Sequence, residues 1–185
     1  AGYSVAGQRV IVNGAGPVGL AIALLARHLG AVDLIVVEPN GFRRGQAESL
    51  GLAAIAPSED VQDYCRQRSG RRNGFDVAFE VSGVPATIRA LLPCLRAEGE
   101  LITVGHPGAP ASIDIATHIN KRGITLRGIY GRRIWDTWEA IGLLVEVGGL
   151  NLLELVTHRF PLRDAEQAIG LLRGEAGKIL LFPQH

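Results

Sequence analysis

The chain lacks methionine altogether, and residue 1 is alanine. A complete translation product begins with methionine, so the expectation is a chain trimmed at its start or forming a portion of something longer. It has only two cysteines, Cys65 and Cys94, and neither belongs to a Cys-x-x-Cys pair. Two thiols cannot frame a metal site or a disulfide scaffold by themselves, so a reducing, cytoplasmic setting with two inert thiols is expected. An excess of either charge is also missing. The formal net charge is +1, and the arginine pairs 43–44, 71–72 and 132–133 are scattered rather than gathered in a stripe. Neither nucleic acid nor an anionic membrane is therefore expected as a partner, and solvation is the expected role of these pairs. The longest apolar stretch, around Leu20 to Ala26, is far short of a bilayer span, and no basic-then-apolar leader opens the chain.

What is present is an ordinary globular composition. With 185 residues, 47% of them hydrophobic, the chain can bury one substantial core. Its most informative segment is Arg9-Val10-Ile11-Val12-Asn13-Gly14-Ala15-Gly16-Pro17-Val18-Gly19. An apolar strand passes through Gly-x-Gly-x-x-Gly into a helix whose Val18, Ile22, Leu25, Ala26 and Leu29 follow helical spacing before Gly30. Gly14 permits the tight turn, Gly16 lets the backbone approach a pyrophosphate, and Gly19 lets helix and strand pack closely. The helix N-terminus, with Pro17 at its first position, then offers free N–H groups to phosphate. Leu34 to Val37 form a second apolar run, and Glu38 follows where a dinucleotide fingerprint places its acid. A carboxylate there can accept both hydroxyls of an adenosine ribose and would repel a 2′-phosphate, which favours NAD over NADP. Arg43 and Arg44 leave the alternative open, because a guanidinium one turn on can pair with a phosphate, lie against adenine or simply be solvated.

Strands then alternate with helices. Gly41 to Leu50 reads as a helix closed by Gly51, and Ala53 to Ala56 as a third strand. Ser58, Glu59 and Asp60 supply a cap and first-turn acids for a helix reaching about Arg68. Phe75 to Val81 is strand four, and Pro93 should cut short the helix carrying Ile88, Leu91, Leu92 and Leu95. Glu100 to Val104 is strand five, a short helical piece covers Asp114 to Lys121, and Ile124 to Ile129 is strand six. This order predicts right-handed βαβ units in an α/β fold, a doubly wound six-stranded parallel Rossmann sheet. From Arg132 the spacing of Ile134, Trp138, Ile141 and Val145 predicts a helix with a core-facing stripe, closed by Gly148-Gly149. The tail reads as a strand at Val156 to Phe160, a helix capped by Asp164 with Gln167 three residues on, and a strand at Lys178 to Phe182. His28 should sit at a helix end, His118 on a helix surface and His158 in a strand, all structural or solvated, with the terminal His185 disordered.

These features together resemble the cofactor-binding half of the zinc-dependent medium-chain alcohol dehydrogenase family. The resemblance rests on Gly14-Ala15-Gly16-Pro17-Val18-Gly19, Phe75-Asp76-Val77 with Glu80-Val81-Ser82-Gly83, Gly105 after strand five, Gly128-Ile129-Tyr130-Gly131-Arg132, Thr137-Trp138 and Thr157-His158-Arg159-Phe160. The Gly-Ile-Tyr-Gly-Arg block with Thr-Trp downstream is the most specific part, and it resembles the threonine-oxidising branch of the family. The resemblance implies that Val18 lies under the pyrophosphate, Glu38 holds the ribose and Arg43 helps at the adenosine end. It further implies that Val104, Gly105 and His106 line the nicotinamide side, with Ile129 and Tyr130 approaching the carboxamide. Independently of the family, Gly19, Glu38, Ser82, Gly105 and Gly131 fall at or just past strand ends, where a doubly wound sheet binds ligand. Plain packing at a strand end is the competing reading for Val104, Ile129 and Tyr130.

The family's metal machinery is absent from the sequence. There is no Gly-His-Glu segment and no four-cysteine loop, and His106 is followed by Pro107 rather than an acid. The resemblance thus implies an NAD-binding domain over residues 1–155 and a tail over 156–185 that returns to a catalytic domain outside the chain. Such a chain would bind NAD(H), carry no catalytic or metal ligand of its own, serve a dehydrogenase acting on a small secondary alcohol, and form a homo-oligomer. A free-standing NAD-binding regulatory module, or the cofactor half of a polyol or simple alcohol dehydrogenase, are the alternatives. A short-chain reductase is disfavoured because Tyr3, Tyr64 and Tyr130 lack a lysine four residues on.

Overall fold

The alternation of side chains along a strand explains how the sheet came to have two cores. In β1 (Arg9–Asn13), Val10 and Val12 face one side and Ile11 the other, all fully buried. In β2 (Asp33–Val37), Val36 joins the first side while Ile35 and Val37 join the second. Apolar residues at both parities demand a cover on both faces, as parallel sheets require. The computed structural model describes residues 4–57, 60–131, 133–172 and 174–183; Tyr3, Ser58, Glu59, Arg132 and His185, about which the sequence raised expectations, lie outside them.

Between the first two strands runs α1 (Pro17–His28), followed after β2 by α2 (Gly41–Ser49), β3 (Ala53–Ile55), α3 (Val61–Ser69), β4 (Phe75–Glu80), α4 (Pro85–Leu91), β5 (Leu95–Thr103) and β6 (Thr125–Gly128). All six strands are parallel in the order β3-β2-β1-β4-β5-β6. This is the doubly wound Rossmann sheet that the sequence predicts. Strand order reverses between β1 and β4, where Asn13 stands in register with both Val37 and Glu80. The carboxyl ends of β2, β1 and β4 are thereby brought level around that reversal. Among the described residues no helix is long and apolar enough to cross a membrane.

Several elements differ from expectation for identifiable reasons. Strand five begins at Leu95, five residues early, with an irregular register opposite Phe75 to Val77. The Asp114 to Lys121 segment is one π-helical turn, Ile115–Ile119, and one 3-10 turn, Asn120–Arg122, because Gly123 at φ 64° ends it. Pro93 lies in a 3-10 turn, Leu92–Cys94, that follows α4 directly. Helix α3 is capped by Asp60, whose side chain accepts from the Asp63 N–H at 2.8 Å.

The largest correction concerns α5 (Ile134–Glu146). Its apolar stripe is not core. None of its residues is buried, and Trp138 is 56% exposed. Periodicity identifies which residues share a face but not what covers it; Leu144 packs against the core, Ile141 lines an apolar cavity, and Trp135 and Trp138 meet edge to face. Beyond α5, β7 (Val156–Pro161), α6 (Ala165–Leu171) and β8 (Lys178–Phe182) build a separate two-stranded parallel sheet. Asp164 occupies the cap position of α6 but makes no side-chain capping bond, since a 3-10 turn, Leu162–Asp164, leads into the helix.

Helix α1 is apolar nearly all round because it is sandwiched. Leu20, Ala23 and Leu24 meet the sheet, while Val18, Ile22 and Leu25 face an apolar cavity of about 500 Å³ shared with Ile141, Leu152 and Leu180. Burying Leu20 and Leu24 contributes about 2 kcal/mol each. Polar side chains of α2 and its cap join the second layer to the first. Asn40 Nδ2 donates to the Gly174 carbonyl, Arg43 Nη2 to that of Leu172, and Gln46 Nε2 to that of Leu155.

Candidate functional site

The glycine-rich turn takes its shape from two steric demands. Gly14 sits at φ 109°, a conformation L side chains rarely adopt, and a Cβ on Gly19 would overlap the Gly14 carbonyl oxygen. Gly16 is the cap of α1 at φ −68° and ψ 174°, ordinary extended backbone. A Cβ there would meet no atom within 4 Å, so its missing side chain leaves open space above the turn. The first-turn N–H groups of Val18 and Gly19 have no intrahelical acceptor, and Pro17 has no N–H to satisfy.

Glu38, just past β2, is 4% exposed. Its Oε2 accepts from the Ala15 N–H at 2.7 Å and its Oε1 from the Asn40 N–H at 2.9 Å. The carboxylate therefore ties the glycine turn to the start of α2, and each oxygen retains a further lone pair. Arg44 is not a free surface charge: its Nη1 donates to the carbonyls of Glu38 and Pro39 at 2.8 and 2.7 Å. Arg43 lines the crevice beside Glu38, and its Nε is buried without a hydrogen-bond partner.

A second buried carboxylate, Glu80 at the end of β4, organises the other wall. It is wholly buried, and its Oε1 accepts from the Ser82 N–H at 2.8 Å, the Thr87 hydroxyl at 3.0 Å and the Ser82 hydroxyl. Asn13 Nδ2 reaches Glu80 Oε1 at 3.4 Å and Ser82 Oγ at 3.3 Å. Asn13, Glu80 and Thr87 were missing from the sequence reading as site residues. The signal was there: an acid ending a buried, largely apolar strand must either reach solvent or be satisfied by local donors.

Together these residues line a crevice of about 560 Å³ at the strand-order reversal. Gly14, Gly16, Pro17, Val18, Gly19, Glu38, Arg43 and Ser82 all border it, with Val18 55% exposed. The remaining predicted residues form a second group at the ends of β5 and β6. The Val104 and Gly105 N–H groups donate to the Glu80 carbonyl at 2.8 and 3.0 Å, and the Ile129 N–H donates to that of Thr103 at 2.9 Å. A Cβ on Gly105 would overlap the Gly83 backbone, so the turns after β4 and β5 are pressed together. His106 and Tyr130 meet edge to face at 5.6 Å between ring centroids, and Tyr130 is 90% exposed. These two rings thus extend past the crevice into solvent.

The arrangement presents backbone N–H donors, a buried acidic acceptor one strand away and an open apolar shelf. It suits a ligand with a diphosphate next to a vicinal diol, and the free space at Gly16 and the spare lone pairs of Glu38 fit a dinucleotide. The donors for a metal are another matter. Among the described residues no group of three or more His, Cys, Asp or Glu side chains is placed to hold one.

Residues 17–146 match the family described as zinc-binding dehydrogenase. An L-threonine 3-dehydrogenase of Escherichia fergusonii is 34% identical over 182 residues, covering 97% of this chain and 52% of the relative. The chain thus spans about half the length of the curated relatives it matches. Among solved structures, 2R,3R-butanediol dehydrogenase from Bacillus subtilis superposes with a TM-score of 0.87 at 34% identity, over 97% of this chain and 52% of that one. A putative zinc-binding dehydrogenase from Sinorhizobium meliloti 1021 bound to NADP gives 0.81 at 26% identity, over 97% and 54%.

Proposed function

The chain belongs to the zinc-binding dehydrogenase family, and from that premise we propose that it is the NAD(H)-gripping half of a dehydrogenase acting on a secondary alcohol. The observation that carries the reading is the pairing of Glu38 with Gly16. A buried carboxylate fixed by two backbone N–H groups faces the crevice one strand away from a helix N-terminus whose cap has no side chain. Phosphate oxygens would take the N–H groups of Val18 and Gly19, while Glu38 accepts the ribose hydroxyls and disfavours a 2′-phosphate. Arg43 would close over the adenosine side.

When bound, the nicotinamide supplies the hydride acceptor. The role of this chain's residues is to bind and orient. Val104, Gly105 and His106, held by the Glu80 carbonyl and the Gly83 turn, form the shelf on which the ring would rest, and Ile129 and Tyr130 border its carboxamide. Fixing one reactant in this way removes much of the entropic barrier to transfer.

For the substrate we propose L-threonine, oxidised at C3. Support comes from the threonine dehydrogenase relatives and from the Gly128-Ile129-Tyr130-Gly131 block with Thr137-Trp138. The butanediol dehydrogenase, equally identical to this chain, keeps a polyol or simple alcohol as the competing substrate class. We further propose a cytoplasmic homo-oligomer, supported by the unburied apolar face of α5. The test of the core reading is calorimetric titration with NADH and NADPH, on the chain and on Glu38→Ala, alongside an assay for threonine-dependent NADH production. Cofactor binding without turnover is expected; threonine turnover by this chain alone, or equal affinity for the two cofactors, contradicts the reading.

A further inference from the structure

The sequence suggests two unrelated thiols, yet the fold buries them in one cluster. Cys65 on α3 and Cys94, in the turn before β5, belong to the same buried cluster under the sheet, 0% and 2% exposed. Each thiol acts on the other's proton, and the Cys94 thiol donates to the Ala90 carbonyl at 3.4 Å. Cys94 borders open space. It lines a pocket of about 440 Å³ whose walls include Val61, Leu91 and Pro93, and which shares Asn13, Val37, Pro57 and Thr87 with the crevice described above.

The electrostatics distinguish the two sulfurs. Interaction with Cys65 draws the Cys94 thiol below its ordinary range, against burial and Asp60, with Arg122 and Arg66 assisting. The same interaction, followed by burial, the charge on Cys94 and Asp33, pushes the Cys65 thiol up. The pair thus consists of one thiol disposed to ionise and reach the pocket, and one protonated thiol behind it.

We propose that Cys94 is a thiol-exchange site for small-molecule disulfides and that Cys65 is its resolving partner. The Cys94 sulfur attacks one sulfur of the reagent, whose S–S bond breaks, and the first thiol leaves carrying the Cys94 proton. Cys65 then attacks the Cys94 sulfur of the mixed disulfide, expelling the second thiol, which takes the Cys65 proton. The protein loses two electrons and two protons, and the reagent is reduced to two thiols. The resulting cross-link ties α3 to the turn before β5 across the pocket wall. The proposal rests on the thiols and their pocket, not on the nucleotide reading.

The experiment treats the folded chain with oxidised glutathione, traps free thiols by alkylation and maps the peptides by mass spectrometry. The expected product is an intramolecular Cys65–Cys94 disulfide, formed with the circular dichroism spectrum unchanged and reversed by dithiothreitol. Cys65→Ser should stop at a glutathione adduct on Cys94. Cys94→Ser should leave Cys65 at least about tenfold slower to react, because Cys65 lies behind the pocket wall. Two free thiols in treated wild-type chain, or a cross-link that appears only on unfolding, overturns the proposal even if neither variant folds. Equal reactivity of the two folded variants also overturns it.

Discussion

Replacing Gly16 by alanine separates binding from folding more cleanly than any other change in the crevice. The backbone at Gly16 lies at φ −68° and ψ 174°, which alanine adopts without strain, and a Cβ there meets no atom within 4 Å. Two small terms act on stability. Alanine reduces the freedom of the unfolded chain, worth about 0.4–1 kcal/mol in favour of folding. It is also a poorer helix cap than glycine, which costs about 1 kcal/mol. These offset each other, so the variant should unfold within about 1 kcal/mol of the parent. The added methyl nevertheless occupies the space through which phosphate must approach the N–H groups of Val18 and Gly19. Losing one hydrogen bond to a charged group costs about 1.5–3 kcal/mol, which is roughly 10- to 100-fold in NADH affinity. Urea denaturation and NADH fluorescence titration read the two quantities separately. Gly19→Ala is the contrast, since its Cβ overlaps the Gly14 carbonyl oxygen and comes within 2.9 Å of the carbonyl carbon. That variant should lose stability outright. A folded Gly16→Ala chain that binds NADH like the parent would refute the reasoning.

Other substitutions probe the rest of the account. Glu38→Ala removes the acceptor of the Ala15 and Asn40 N–H groups; we expect a loss of about 2 kcal/mol in stability and a ratio of NADH to NADPH affinity moving toward one in paired titrations. Asp76 is buried and accepts from the Arg9 N–H at 2.8 Å, Arg96 Nε at 2.6 Å and Arg72 Nη1 at 3.1 Å. Burial pushes its carboxyl up, but these donors outweigh burial and hold it below 3.8. Its contribution to stability is therefore complete above the unfolded pKa and is lost as pH falls below about 4 and through the lowered folded value. Asp76→Asn should cost about 3 kcal/mol near neutral pH and flatten that acid limb, measured by urea denaturation across a pH series. Trp138→Glu places a charge on the exposed apolar face of α5 and should shift a self-associating chain toward monomer in sedimentation velocity.

The sheet was legible because its signals are local and redundant. Val10 to Val12, the glycine turn and Leu34 to Val37 each state a strand, a tight turn or a helix start through residue type and spacing alone. The doubly wound parallel sheet followed from handedness and alternation. The glycine turn and Glu38 were legible for the same reason, since their spacing is set by one βαβ unit. What stayed hidden depends on contacts distant in sequence. Glu80 organises a wall only because Asn13, 67 residues away, and Ser82 converge on it. Cys65 and Cys94 share one buried cluster because α3 packs against the turn that follows α4. The stripe of α5 read as core because amphipathic spacing is the same whether the apolar face meets the chain's own sheet or another surface. Arg44 and Arg72 read as solvated for a similar cause: their partners, the Glu38 carbonyl and the buried Asp76, are set by the fold.

Calorimetric titration of the chain with NADH and with NADPH, at one ionic strength, bears most directly on the central claim that the crevice between Gly16 and Glu38 holds NAD(H). The account predicts saturable, micromolar-range binding of NADH and weaker binding of NADPH. Absence of NADH binding by the folded chain, or NADPH bound as tightly as NADH, would contradict it.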